Sequence, residues 1–239
     1  MRLYGDKLFA PIDADLHLER VAGGNETEVY CTDDKRFVVK VKEESGGDLE
    51  TALTEIRWLR ETAEMYVDLL GDNHTIPSYF IVAKNGAGQI KPLIIQPYLL
   101  GAQALFDIEY EEMSRAERRQ LAAQLRDIIK RSRHFYRETG KMPDLYGRKS
   151  ASEAERRYRN RWWRFPNRVW SFVVQRNMLR AHNLMLAEDG RVMLVDYDPV
   201  RRGELYQKVY YTVRRILFWR DLGLIRLMEW TGVVWPRHK

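Results

Sequence analysis

Three oxygen-bearing side chains lie close together in the sequence near residue 190. Asn183 stands directly before a short apolar run, and Asp196 and Asp198 stand directly after a second one. Amide and carboxylate oxygens are hard ligands, and this combination suits Mg²⁺ bound beside a phosphate. We therefore treat Asn183, Asp196 and Asp198 as candidate metal ligands. The alternative is a plain surface hairpin with polar ends.

The two apolar runs predict a β-hairpin. They are Leu184–Leu186 and Arg191–Val195, and Asp189-Gly190 stands between them. An Asp-Gly pair between apolar runs is a strong hairpin signal, because glycine accepts the positive φ of a tight turn. A hairpin brings the residue before its first strand and the residue after its second strand to the same end of the ribbon.

A lysine lies inside an apolar strand upstream. The run Arg36–Lys42 predicts a strand in which Val38, Lys40 and Lys42 share one face. A lysine among β-branched residues is costly to bury unless a counter-charge or an anionic ligand stands beside it. The alternative is an edge strand whose lysines extend to water.

A helix follows that strand directly. Asp48 is a candidate N-cap, and apolar residues recur at helical spacing from Leu49 onward. Glu55 lies beside this apolar stripe, where it could reach Lys40. The alternative is a solvated glutamate with an arginine nearby.

A glycine pair separates two further predicted strands, Leu18–Val21 and Glu28–Thr32. Gly23 and Gly24 permit a tight loop whose backbone N–H groups can approach a phosphate. An ordinary turn is the commoner use of such a pair.

The chain then changes from strands to helices. Ile76–Ala83 and Ile90–Pro97 predict a strand pair, and Ser114 with Glu117 forms a capping box that opens a long helix ending near Gly140. The loop after this helix presents Asp144. The last helical pattern spans Gly203–Gly232, with Leu205, Val209, Val213, Ile216 and Leu217 on one face, and Trp219 and Trp230 are expected to complete a small core.

Residues 148–180 are rich in arginine and aromatic side chains. This mixture suits an anion-binding surface with stacking platforms, as in nucleic-acid binding, or a segment at a membrane surface. A helix with inward aromatics and solvated arginines is the alternative.

Composition sets wider bounds. The chain has 239 residues, 45% of them hydrophobic and 31% charged, and a formal charge of +6 that favours acidic partners. Cys31 is the sole cysteine, which excludes an intramolecular disulfide and makes a reducing cytoplasm the expected location. The first residues lack the apolar region of a signal peptide, and no run approaches the roughly 20 apolar residues that span a bilayer.

In chain order these features resemble the protein kinase-like superfamily. Phe37-Val-Val-Lys40 is similar to the V-A-I-K strand of the family, and Gly24 falls on a glycine of its G-x-G-x-x-G-x-V loop. The resemblance implies that Lys40 positions the phosphates of ATP, that Gly23 and Gly24 contact them, and that Glu55 pairs with Lys40.

The resemblance also assigns the metal site and departs from the family at the catalytic loop. Asn183 and Asp196 look like the Mg²⁺ ligands of the catalytic loop and of the D-F-G motif. In H-R-D-L-x-x-x-N the catalytic aspartate precedes the asparagine by five positions, but Met178 stands there. Either the aspartate is lost, giving a pseudokinase, or the loop is split. We favour a split loop, because Asp144-Leu145 follows the long helix where H-R-D-L would stand.

The region after the hairpin differs from ordinary protein kinases. Asp196-Tyr197-Asp198 replaces D-F-G, no A-P-E follows, and about forty residues remain. This pattern resembles small-molecule phosphotransferases of the aminoglycoside and choline kinase type. The resemblance implies an α+β, bilobal kinase-like fold, with an antiparallel-sheet N-lobe bearing one helix in residues 1–98 and a reduced, mainly helical C-lobe in residues 99–239.

The expected function is transfer of the γ-phosphate of ATP, with Mg²⁺, to a hydroxyl of an acidic small-molecule, lipid or sugar acceptor. Asp144 is the expected catalytic residue, and Arg157, Arg161 and Arg164 are expected to recognise the acceptor. One alternative is a kinase-like pseudoenzyme that acts as a nucleotide-binding regulatory module. Another is a nucleic-acid-binding protein that uses residues 148–180.

Overall fold

The computed structural model describes residues 18–23, 27–42, 48–84, 89–147, 166, 170–197 and 203–234. The predicted α+β class is confirmed, with an antiparallel sheet and several helices. The strands are β1 (Leu18–Gly23), β2 (Thr27–Thr32), β3 (Phe37–Lys42), β4 (Tyr79–Lys84), β5 (Ile90–Pro97), β6 (Gln103–Ala104), β7 (Leu184–Leu186) and β8 (Val192–Leu194). The long helices are α1 (Leu49–Leu70), α2 (Arg115–Thr139) and α3 (Glu204–Thr231).

Five strands form one antiparallel sheet in the order β1-β2-β3-β5-β4. Side chains alternate between its faces, so Phe37 and Val39 of β3 pack against Ile95 of β5 on one side. On the other side, Ile94 of β5 packs against Ile56 of α1. Helix α1 therefore covers one face of this sheet.

Both ends of α1 are capped. The Asp48 carboxylate accepts a hydrogen bond from the backbone N–H of Thr51 at 2.8 Å, which satisfies one of the donors that a first helical turn leaves unpaired. At the other end Gly71 takes a φ of +76°, and its N–H donates to the carbonyl of Val67. The predicted cap at Asp48 is confirmed.

The second half of the chain is mainly helical, with a three-stranded sheet in the order β6-β7-β8. The capping box of α2 is confirmed, because Ser114 and Glu117 each accept a hydrogen bond from the other's backbone N–H. Helix α2 packs along α3, and the largest buried cluster lies around this pair. Its fully buried members include Leu121, Leu125, Ile128, Phe218, Ile225 and Met228.

The predicted hairpin is also confirmed. Leu184 pairs with Leu194 and Leu186 with Val192, so the second strand is shorter than the sequence indicated. Gly190 in the turn has a φ of +78°, the positive value that the hairpin prediction requires of this glycine.

Residues 74–76 connect the five-stranded sheet to the hairpin. The Nδ1 atom of buried His74 is hydrogen bonded to the carbonyl of Val192 at 2.8 Å. The hydroxyl of buried Tyr197 donates to the carbonyl of Ile76 and accepts from its N–H, each at 2.7 Å. These contacts fix the hairpin against the segment that leads into β4.

The expectation for the tryptophans of α3 is wrong. Trp219 and Trp230 are 64% and 65% exposed, and Phe218, Ile225 and Met228 form the buried side instead. Helix α3 is apolar on two faces, and periodicity alone does not say which of them is buried. Among the described residues, no helix has both the length and the apolar character needed to cross a bilayer.

Candidate active site

The predicted catalytic aspartate and the predicted metal-binding asparagine lie together. The side-chain Nδ2 of Asn183 donates a hydrogen bond to the main-chain carbonyl of Asp144 at 2.8 Å, across 39 residues of sequence. Helix α2 ends at Gly140 in the left-handed conformation, which turns the chain into the loop that carries Asp144. The end of α2 and the start of the hairpin thus bring the two residues to one place.

The carboxylate of half-buried Asp144 is held from one side. Its Oδ1 accepts hydrogen bonds from the backbone N–H of Tyr146 and from the hydroxyl of Tyr210 on α3, both at 3.2 Å. No described residue donates to its Oδ2. One carboxylate oxygen is therefore anchored, and the other is available to a ligand.

A buried guanidinium stands behind Tyr210. Arg214, one helical turn further along α3, is 1% exposed, and its Nε donates to the Tyr210 hydroxyl at 3.4 Å. Its guanidinium carbon lies 3.8 Å from the ring centroid of Tyr146 and 4.1 Å from that of Phe172. Such rings attract a desolvated cation through their negative faces. Neither Nη of Arg214 has a hydrogen-bond partner among the described residues.

The pKa values of this group reflect both burial and mutual charge. Burial raises the pKa of Tyr210, and the neighbouring Asp144 raises it further. Burial alone would lower the pKa of Arg214, but Tyr210, Tyr146 and Asp144 outweigh it and raise the value. Arg214 thus remains a cation, and Tyr210 keeps the proton that it donates to Asp144.

Gly147 leaves the space that the Asn183 side chain occupies. Its φ is +60°, and a Cβ built on it would overlap Oδ1 of Asn183. A side chain at position 147 would therefore displace the asparagine. Because Nδ2 is used on the carbonyl of Asp144, Oδ1 is the Asn183 atom that can act as a metal ligand.

The hairpin places Asp196 beside Asn183. The N–H of Val195 donates to the main-chain carbonyl of Asn183 at 2.9 Å, and half-buried Asp196 follows immediately. Among the described residues, no group of three or more His, Cys, Asp or Glu is arranged to hold a metal. One amide and one carboxylate nevertheless fit Mg²⁺, which proteins bind through one or two carboxylates plus phosphates and water rather than through an all-protein cage.

Lys40 reaches the same hairpin from the sheet. It pairs with Ile94, and residues that face each other in an antiparallel pair point to the same side, so Lys40 lies on the face that α1 covers. Its Nζ donates to the carbonyl of Val195 at 2.6 Å. Buried Gln96 donates to the same carbonyl at 3.1 Å. The strand lysine is thereby held one residue from Asp196.

Glu55 is half-buried on α1 and lines an open depression of about 700 Å³ together with Asp48, Glu50, Thr51, Thr54 and Trp58. Its pairing with Lys40 stays a prediction. Gly23 ends β1, opposite Glu28. The remaining predicted site residues lie outside the described part of the chain: Gly24, Arg157, Arg161, Arg164 and Asp198.

The structure adds residues that the sequence did not single out. Gln96 had a readable signal, since an amide inside the apolar run Leu93–Pro97 needs a partner when buried. Tyr210 and Arg214 had none, because an aromatic and an arginine are ordinary in a helix. Gly147 was visible only as one glycine in a loop.

Two comparisons bear on these residues. No protein-family model matches the chain. A search of curated proteins likewise finds no significant match.

Proposed function

We propose that this chain is an ATP- and Mg²⁺-dependent phosphotransferase with a bilobal, kinase-like architecture. It transfers the γ-phosphate to a hydroxyl of an acidic small-molecule, lipid or sugar acceptor. The observation that carries the proposal is the hydrogen bond from Asn183 to the carbonyl of Asp144. A catalytic loop split by an insertion requires this meeting of aspartate and asparagine, whereas a loop that has lost its aspartate does not.

Lys40 gives separate support. In kinases the phosphate-binding lysine lies on the third strand and the metal-binding aspartate follows a strand of the second lobe. Here Lys40 lies on β3, and its ammonium group contacts the residue directly before Asp196. A cation and a carboxylate side by side at the hairpin end suit a triphosphate with its metal.

Each residue then has a defined task. Asn183 and Asp196 would hold Mg²⁺, which neutralises charge on the phosphates when it is bound. Lys40 would contact phosphate oxygens. The free Oδ2 of Asp144 would accept the proton of the acceptor hydroxyl. The hydroxyl oxygen would then bond to the γ-phosphorus, while the bond between the γ-phosphorus and the oxygen that bridges it to the β-phosphate breaks and ADP leaves. The acidic part of the acceptor would meet Arg157, Arg161 and Arg164, which belong to the basic segment that begins just after Asp144.

The test measures release of the γ-phosphate to water, followed by transfer to a panel of phosphorylated sugars and lipid headgroups. Asp144→Asn should lower kcat by about 10²-fold or more, because a positioned general base contributes that much. Its affinity for Mg²⁺-ATP should be unchanged. Asp68→Asn removes an exposed carboxylate on α1 and is the matched control.

Full activity of Asp144→Asn would overturn the assignment of the base. Binding of Mg²⁺-ATP by the wild-type protein without turnover on water or any acceptor would favour the pseudoenzyme. Binding of single-stranded oligonucleotides that is steeply salt-dependent and unaffected by Lys40→Ala would favour the nucleic-acid-binding alternative.

A further inference from the structure

The outer side of α3 carries an apolar stripe that no part of the site uses. At about 100° per residue, its six members fall within an arc of about 80° on the helix surface. Their exposures range from 43% to 78%. They are Leu205, Val209, Ile216, Trp219, Leu227 and Trp230.

The stripe is separate from the side of α3 that is buried in the protein core. The buried residues of the same helix, among them Arg214, Asp221 and Ile225, fall on the opposite side of the helix by the same angular count. From Leu205 to Trp230 the stripe is about 38 Å long at 1.5 Å per residue. Exposed apolar surface of this extent marks an interaction site.

Cations border the stripe. A cavity of about 550 Å³ between α2 and α3 has four apolar and five cationic lining residues and, within the described chain, no acidic one. Glu229 pairs with Arg126, but the other four cations have no ion pair with a described acid. Those four are Lys130, Arg133, Arg137 and Arg215.

One tryptophan joins the cations to the stripe. The guanidinium of Arg133 lies 4.4 Å from the ring centroid of exposed Trp219. Tryptophan is favoured at membrane–water interfaces, where its ring meets the acyl boundary and its N–H meets the headgroups. Arginines and lysines beside it can reach lipid phosphates.

The charge pattern discriminates between occupants. A second copy of the chain would bring two sets of the same cations together, which like-charge repulsion opposes. An apolar protein surface would bury four cations without partners, which is costly. An anionic bilayer surface accommodates both the apolar stripe and the cations, because the stripe enters the acyl boundary and the cations meet lipid phosphates.

We propose that the outer side of α3, with the adjoining cations of α2, binds the surface of a bilayer that contains anionic lipids. In this arrangement α3 lies in the plane of the interface. The catalytic loop contacts α3 from the opposite side, through Tyr210, so the membrane face and the candidate active site are separate.

The test is cosedimentation of the full chain with vesicles of phosphatidylcholine alone and of equimolar phosphatidylcholine and phosphatidylglycerol. The wild-type protein should bind the second and not the first, and added salt should weaken binding. Trp219→Ala with Trp230→Ala should weaken it by roughly tenfold per tryptophan, since each loses a buried apolar ring. Trp58→Ala removes a 41% exposed tryptophan from α1 and should have no effect.

Charge is tested separately. Lys130→Glu with Arg137→Glu should weaken binding by about 25-fold or more, at about fivefold for each cation lost. Arg57→Glu with Lys84→Glu changes the net charge equally on exposed residues of the other half and should retain binding. Equal losses in both charge pairs would overturn the proposal, as would equal binding to the two vesicle types.

Sedimentation velocity distinguishes the remaining occupant. A concentration-dependent dimer that Trp219→Ala with Trp230→Ala abolishes would make the stripe an interface between copies and overturn the membrane assignment. A monomer that binds anionic vesicles would support it. None of these readouts depends on phosphotransfer.

Discussion

Asn183 donates its amide hydrogen to the main-chain carbonyl of Asp144 and leaves the Asp144 carboxylate untouched. The backbone of the loop is thus fixed by the hairpin, whereas the carboxylate is fixed by Tyr146 and Tyr210. In the proposed mechanism, the same loop serves the metal through its backbone and the acceptor through its side chain. The two duties can be separated by mutation.

Tyr210→Phe tests the proposed role of the Asp144 side chain toward the acceptor. Loss of the hydroxyl leaves Oδ1 of Asp144 with one donor, the backbone N–H of Tyr146, so the carboxylate is held less firmly and samples orientations that do not face the acceptor. We expect kcat to fall by about tenfold, a loss of about 1.4 kcal/mol, with little change in the KM for Mg²⁺-ATP. The measurement is steady-state phosphate release.

The control for this change is Tyr136→Phe. It removes a hydroxyl that meets Thr212 at 3.1 Å within the same helix pair, and among the described residues this hydroxyl makes no hydrogen bond to Asp144 or Tyr210. Equal effects of the two substitutions would reduce Tyr210 to a packing role.

Gly147→Ala tests the proposed support of the metal site by the loop backbone. A methyl group there displaces Oδ1 of Asn183, and we expect the affinity for Mg²⁺-ATP to fall by roughly tenfold, the low end of the effect of disturbing a supporting contact at a metal site. Gly140→Ala is the control, because it has a similar φ of +69° but nothing within 4 Å of the added carbon. Both should lose about 1 kcal/mol of unfolding free energy from backbone strain. Nucleotide affinity, measured by calorimetry, should fall only for Gly147→Ala.

The carbonyl of Val195 supports a double-mutant cycle. Lys40→Met and Gln96→Leu each leave it one donor, and the double variant leaves it none. We expect the double variant to lose about 1 kcal/mol more unfolding free energy than the sum of the singles, because an acceptor without partners carries its desolvation cost. Additive losses in urea unfolding would show that the two contacts are independent.

The pairing of Lys40→Met with Gln103→Leu serves as the control for that cycle. Gln103 is exposed on β6. Its substitution should add to that of Lys40 without coupling.

Asp221 predicts a dependence of stability on pH. Burial raises its pKa above the ordinary 3.8, outweighing Arg220 and the Tyr146 hydroxyl that stabilise the charge. The folded chain therefore holds a proton that the unfolded chain has released, and the unfolding free energy should fall as pH rises from 3.8 through the raised value.

Asp221→Asn removes this titration and should flatten the profile over that window. The measurement is urea unfolding at a series of pH values for both proteins. Parallel profiles would show that Asp221 is not the group responsible.

Several local features could be predicted because they are written in short stretches. The Asp189-Gly190 turn, the cap at Asp48 and the capping box at Ser114 each depend on a few adjacent residues and on backbone rules that hold in any fold. The placement of Asp144 beside Asn183 came from chain order and a resemblance, and the hydrogen bond between them agrees with it.

The sequence-based predictions that were wrong or missing concern long-range packing. Periodicity predicts that α3 is helical but does not decide that Phe218 is buried while Trp219 is exposed. The support of Asp144 by Tyr210 links residues 66 positions apart, and nothing in either local sequence encodes it. Buried polar partners of this kind emerge only when the elements are assembled.

The Val195 carbonyl joins the strand lysine, a buried amide and the candidate metal site at one atom. Every amino acid has the same carbonyl, so no side-chain replacement at position 195 can delete this acceptor. Substitutions can remove the hydrogen bonds to this carbonyl only at the two donors, Lys40 and Gln96. A variant that lacks the proposed phosphotransfer activity could therefore replace Lys40 and still keep the sheet and the hairpin joined through Gln96.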